Sequence, residues 1–136
     1  MKRTSVALVA LASVILVCMT AYRLNTPEKQ VDRFVERNSA QLAELLDADK
    51  PLPAELEEGH HRRDGEHPMD EFIVVTIGST YYGCYYSPDD VPLAFQNSGL
   101  ELVDDVRGGW SWRAEGDNYG YTEQLAPCWY YFEAKL

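Results

Sequence analysis

Residues 80–88 read TYYGCYYSP, four tyrosines around one glycine and one cysteine. Along an extended chain, Tyr82, Cys84 and Tyr86 share one face, and Tyr81 and Tyr85 share the other. Aromatic residues suit a pleated, half-buried surface, so this stretch reads as a strand. The preceding EFIVVTIG, residues 71–78, is also β-rich, and Gly78-Ser79 marks the turn between the two. Gly83 marks a bend or a close approach of another group.

Working outward toward the C-terminus, SPDD (87–90) closes the hairpin. Ser87 and Asp90 have capping-box spacing, and Pro92 forbids a long helix. LAFQ (93–96) reads as a short edge strand and GLELVDD (99–105) as a strand. WSWRAE (110–115) is another strand, with Trp110 and Trp112 on one side. YTEQLAP (121–127) and CWYYFEAKL (128–136) close the chain. These five or six short strands predict a mainly antiparallel sheet over residues 69–136. Ile73, Val75, Ile77, Tyr82, Tyr86, Tyr130 and Phe132 are expected on one face, with Cys84 and Cys128. Tyr81, Tyr85, Trp129 and Tyr131 are expected on the second face. Fourteen of the 16 aromatic residues lie in this segment, which supplies a core to a small domain.

Outward in the other direction, residues 51–68 are charged and punctuated by glycine and proline, and read as a mobile linker. His60, His61 and His67 fall here beside Glu57, Asp64 and Glu66. Their spacing matches no closed metal site, so no metal or cofactor is expected. Residues 24–50 hold an amphipathic stalk helix. Thr26 is its N-cap and Pro27 its first position, and Val31, Phe34, Val35, Leu42, Leu45 and Leu46 form one stripe over about 27–47. Asn38 falls in that stripe. A homodimeric coiled coil through the stalk is one use of it, and packing on the chain's own domain is the other.

Residues 1–23 read as an uncleaved signal-anchor, with 18 uncharged positions from Ser5 to Tyr22 behind Lys2 and Arg3. Eighteen helical residues span about 27 Å, close to the ~30 Å of a bilayer core. A cleaved signal places Met19 badly for a cut after Ala21, and lipid attachment at Cys18 follows Val17, which is not small. Lys2 and Arg3 favour a cytoplasmic N-terminus and an extracytoplasmic sheet domain. The expected architecture is thus α+β: a transmembrane helix, a stalk helix and a small antiparallel sheet.

Charge narrows the partners. The chain is net −10, and residues 69–136 carry 11 acids against Arg107, Arg113 and Lys135. Such a surface repels nucleic-acid backbones. Outside the membrane Cys84 and Cys128 are candidates for a disulfide, the alternative being two free thiols. No phosphate loop, HExxH, GxSxG or CxxC occurs, and residues 69–136 contain no histidine. The reading is a membrane-anchored binding module for a protein or glycan ligand, with Tyr81, Tyr85, Trp129 and Tyr131 as candidate binding residues. A carboxylate hydrolase using Asp89, Asp90 or Glu123, and a structural subunit of a membrane complex, are the alternatives.

Overall fold

The computed structural model describes the backbone of residues 2–136 and the side chains of residues 9–23 and 25–136. The chain is α+β, with helices α1 (Lys2–Leu24), α2 (Pro27–Asp47) and α3 (Ala54–Glu57). Seven strands follow: β1 (His60–Arg63), β2 (Met69–Ile77), β3 (Thr80–Tyr86), β4 (Val103–Asp104), β5 (Trp110–Arg113), β6 (Tyr119–Ala126) and β7 (Trp129–Lys135). They form one antiparallel sheet in the order β1-β2-β3-β7-β6-β5-β4.

The hairpin at the centre of the reading is present. Ile77 pairs with Thr80 across Gly78-Ser79, and Gly78 takes φ 60°, as tight hairpin loops require. Gly83 answers a close approach: its cross-strand partner is Phe132, and a Cβ there would meet that ring at 2.7 Å.

Helix α2 begins as its capping residues predict. Thr26 is extended and its side chain accepts from the Lys29 N–H, with Pro27 in the first turn. The helix ends where Asp49 turns to φ 52° before Pro51. Its stripe packs on the sheet: Val31, Val35 and Leu42 are buried with Phe72, Cys84, Tyr86, Tyr121, Trp129 and Tyr131. Asn38 donates to the Phe34 carbonyl at 2.8 Å, within its own helix. What reads as a stalk is therefore the cover of one sheet face.

The other face is covered by residues 88–102, which cross it through a 3-10 turn at Phe95–Asn97. Met69, Tyr85, Ala94, Phe95, Trp112, Tyr130, Phe132 and Ala134 are buried there. The LAFQ strand expected at 93–96 is this crossing turn.

The sequence-based face assignment needs correction. Tyr130 and Phe132 lie with Tyr85 and Ile73, opposite Tyr82, Cys84 and Tyr86. The register explains it, because Tyr85 pairs with Tyr130 and Cys84 with Tyr131. A bulge between Ile73 and Val75 also shifts the parity of β2 midway. Alternation within one strand is legible from sequence, but the parity between strands is set by register.

The supposed linker is also partly structured. β1 pairs with β2, His60 to Phe72 and Arg63 to Met69. HHRR carries no apolar alternation because it is an edge strand, where charge is tolerated and useful.

Among the described residues no single helix is long and apolar enough to cross a membrane. The side chains of Lys2 and Arg3, which carry the orientation argument, lie outside the described residues. In α1, Val9, Leu11, Val14, Ile15, Leu16, Val17 and Met19 are all exposed.

Candidate functional site

The four aromatic residues expected to form a binding platform are divided between the two faces. Tyr85 belongs to the core under residues 88–102, and Tyr81 packs against that core. Trp129 and Tyr131 belong to the core under α2. Tyr85, Trp129 and Tyr131 are buried, at 0%, 3% and 3% exposure. Their aromatic area is spent on packing, and they share no exposed surface.

Tyr85 has a definite structural task. Its hydroxyl accepts from the Leu93 N–H at 2.8 Å and lies 2.9 Å from Thr122 Oγ1. Thr122 in turn donates to the Tyr131 carbonyl at 2.7 Å. The Tyr85 ring stacks on Tyr130 with centroids 5.1 Å apart. Burial pushes the Tyr85 phenol well above its usual range. Tyr131 differs: its hydroxyl is buried with no hydrogen-bond partner among the described residues, and burial raises its pKa too.

Cys84 and Cys128 are free, so the candidate disulfide is not formed. Cys84 pairs with Tyr131, three positions along from Cys128. Three strand residues span about 10 Å, beyond the ~7 Å limit on Cα separation for a bridge. Cys84 is buried under α2, and burial holds its thiol well above the ordinary range. Cys128 is half-buried in the β6–β7 turn, at φ 65°.

The carboxylates considered for hydrolysis do not converge. Asp90 Oδ1 accepts from the Cys128 N–H at 2.7 Å, Gln124 Nε2 at 2.8 Å and the Tyr130 hydroxyl at 3.2 Å. It fastens the loop after β3 to the β6–β7 turn. Asp89 pairs with His67 at 2.9 Å on the surface, and Glu123 accepts from the Tyr121 hydroxyl at 2.9 Å. Among the described residues no group of three or more His, Cys, Asp or Glu is placed to hold a metal ion.

Two polar pairs not anticipated from the sequence tie β1 to the body. His60 Nε2 lies 2.7 Å from Asp70 Oδ1, and the imidazole packs on Phe72 with centroids 5.0 Å apart. They border a cavity of about 180 Å³ beneath the C-terminal end of α2. Arg63 Nη2 lies 3.3 Å from the buried Glu71, whose second oxygen accepts from the Gln96 N–H at 2.9 Å. Glu71 thereby fastens the crossing loop to the sheet. Burial holds its carboxyl above the usual range, against the opposing pull of the Gln96 N–H and Arg63.

The feature best suited to recognition is backbone, not side chain. β1 ends its pairing at Phe72, with one further bond from the Ile73 N–H to the Gly59 carbonyl at 2.9 Å. β2 continues through Val74-Val75-Thr76-Ile77 with no described strand on its outer side. These four residues are uncharged and β-branched, and Thr76 and Ile77 are exposed. The sheet's terminal strands are guarded differently: β1 is HHRR, and β4 is two residues long, ending in Asp104 and followed by Asp105. Charge is a usual protection of an edge; residues 74–77 carry none, and the bulge at Ile73/Val75 lies at the start of this stretch.

Comparison with protein-family models, with curated proteins and with solved structures finds no match to this chain.

Proposed function

We propose that this protein is a membrane-tethered interaction module that adds an extended segment of a partner protein to its sheet along Val74–Ile77. The observation that carries the reading is the open, uncharged stretch of β2 beyond the end of β1. A strand laid there gains main-chain hydrogen bonds, and side chains on alternate positions supply selectivity. An edge of this kind favours a polypeptide over a glycan, because its unsatisfied groups are backbone N–H and C=O.

The tether is α1. Its described apolar residues are exposed, and a contiguous apolar surface of this kind calls for lipid or a partner. Ser13 and Thr20 return their hydroxyls to the carbonyls of Val9 and Leu16, each at 2.9 Å, which suits a helix in hydrocarbon. α2 does not prolong the apolar run, since its apolar stripe is used on the sheet. In this reading the sheet domain lies on the extracytoplasmic side, as Lys2 and Arg3 favour.

The test is co-purification from detergent-solubilised native membranes with the wild-type chain and with the double variant Thr76→Lys, Ile77→Lys. A specific partner retained by the wild type and lost by the variant supports the reading. Equal retention by both places the interface elsewhere and removes it.

A further inference from the structure

Three cavities of this acidic chain have carboxylates in their lining. The cavity below the C-terminal end of α2 is lined in part by Asp49, Glu57 and Asp70. The one between α2 and the end of β6 includes Asp32 and Glu36, and the one at the β6–β7 turn includes Asp90. The cavity at the N-terminal end of α2 has no carboxylate in its lining. It measures about 310 Å³ and presents Asn25, Gln30, Arg33, Arg37 and Asn38, with Phe34 and Val74 as its apolar part.

This arrangement follows from helix geometry. Gln30, Arg33 and Arg37 recur at spacings of three and four on one side of α2, and Asn38, four residues after Phe34, borders the same cavity. The acids Asp32 and Glu36 line the cavity on the other side. Arg33 and Arg37 thus border the cavity that includes Val74, and Asp32 and Glu36 border the one that includes Leu125 and Ala126. Arg33 is oriented by bonds from Nε to the Lys29 carbonyl at 3.0 Å and from Nη2 to Asn25 Oδ1 at 3.4 Å. Arg37 is exposed and has no hydrogen-bond or ion-pair partner among the described residues. Asn25, in the lining, directly follows the last residue of α1.

We propose that this cavity binds a phosphate-bearing anion. The exposed Arg37 guanidinium offers a forked donor that matches phosphate oxygens, with the Arg33 cation one helical turn away. Gln30 and Asn38 each keep a second amide N–H beyond the one given to the Asn25 or Phe34 carbonyl. The volume is at the lower end of the ~300–1,000 Å³ range of small-molecule sites, adequate for a phosphate group and a short attachment. The phosphate comes either from the headgroup of an anionic lipid or from a soluble metabolite. Only the lipid source rests on the membrane tether. The phosphate chemistry does not.

The experiment follows modification of Arg33, Arg37 and the exposed Arg113 by phenylglyoxal, residue by residue, by mass spectrometry of the full chain. The arms are detergent with and without inorganic phosphate, and nanodiscs of phosphatidylcholine with and without phosphatidylglycerol. Occupancy of the site slows Arg33 and Arg37 by about threefold or more relative to Arg113. Slowing by phosphate in detergent, with no difference between nanodiscs, assigns a soluble source. Slowing confined to the phosphatidylglycerol nanodiscs assigns the lipid. Arg37→Gln, a surface change, removes the protection of Arg33 in whichever arm shows it. Equal rates in every arm, or slowing shared by Arg113, overturns the proposal. A chain that enters nanodiscs but shows no protection refutes the site and leaves the tether standing.

Discussion

The Tyr85 hydroxyl accepts a hydrogen bond from the Leu93 N–H at 2.8 Å, and so joins a buried strand to the loop that covers it. Tyr131, on the neighbouring strand and the opposite face, buries a hydroxyl with no such partner. The two tyrosines therefore respond oppositely to the same substitution. Tyr85→Phe leaves the Leu93 N–H and Thr122 without that oxygen and costs about 1–3 kcal/mol. Tyr131→Phe removes an unsatisfied group and is neutral or stabilising by up to about 1 kcal/mol. Urea unfolding of each variant measures both, and destabilisation of similar size in the two contradicts the assignment.

Glu71 gives the fold a pH dependence with a definite sign. Its folded pKa is raised, burial being the main cause, so the unfolded chain releases this proton at lower pH. Its contribution to stability is fully present below the unfolded value of 4.5 and is lost as pH rises through the folded value. Glu133 is raised by burial as well and acts in the same direction. Glu71→Gln retains an acceptor for the Gln96 N–H but cannot ionise. The variant therefore gains on the wild type in unfolding free energy between about pH 4 and pH 7. A difference that is constant over that range, or of opposite sign, refutes this account of Glu71.

The thiols report topology. Cys128 is half-buried in a surface turn and Cys84 is fully buried. With the sheet domain outside the cytoplasm, a membrane-impermeant maleimide labels Cys128 in intact cells and leaves Cys84 unlabelled until the chain is unfolded. Labelling of Cys128 only after the membrane is permeabilised places the domain on the inner side.

Charges placed on the open edge separate binding from stability. Thr76 and Ile77 are exposed, so Thr76→Lys and Ile77→Lys each change stability by no more than about 0.5 kcal/mol. Lysine on an edge discourages strand addition, so partner binding falls while the unfolding midpoint does not. A parallel loss of both makes the edge a structural element, not an interface.

The sequence revealed those parts of the fold that depend on local rules. The Gly78-Ser79 hairpin, the Thr26-Pro27 start of α2 and its apolar stripe all follow from turn chemistry, capping and periodicity. β1 escaped because HHRR has no alternating apolar pattern, and its strand character comes from pairing with Met69–Phe72. The face partners of Tyr130 and Phe132 escaped because inter-strand register and the bulge at Ile73/Val75 are properties of pairing. The aromatic excess drew attention to Tyr85, Trp129 and Tyr131, which are core residues. The open edge carries no unusual residue at all: it exists because β1 pairing stops at Phe72, five residues before the end of the β2 ladder at Ile77.

The most direct test of the edge-binding account is site-specific photo-cross-linking in native membranes. A photoreactive phenylalanine analogue is placed at Thr76, and separately at Arg113 on the remote strand β5. The account predicts one discrete cross-linked protein from position 76, reduced by Ile77→Lys and missing from position 113. No adduct at 76, or the same adducts from both positions, contradicts it.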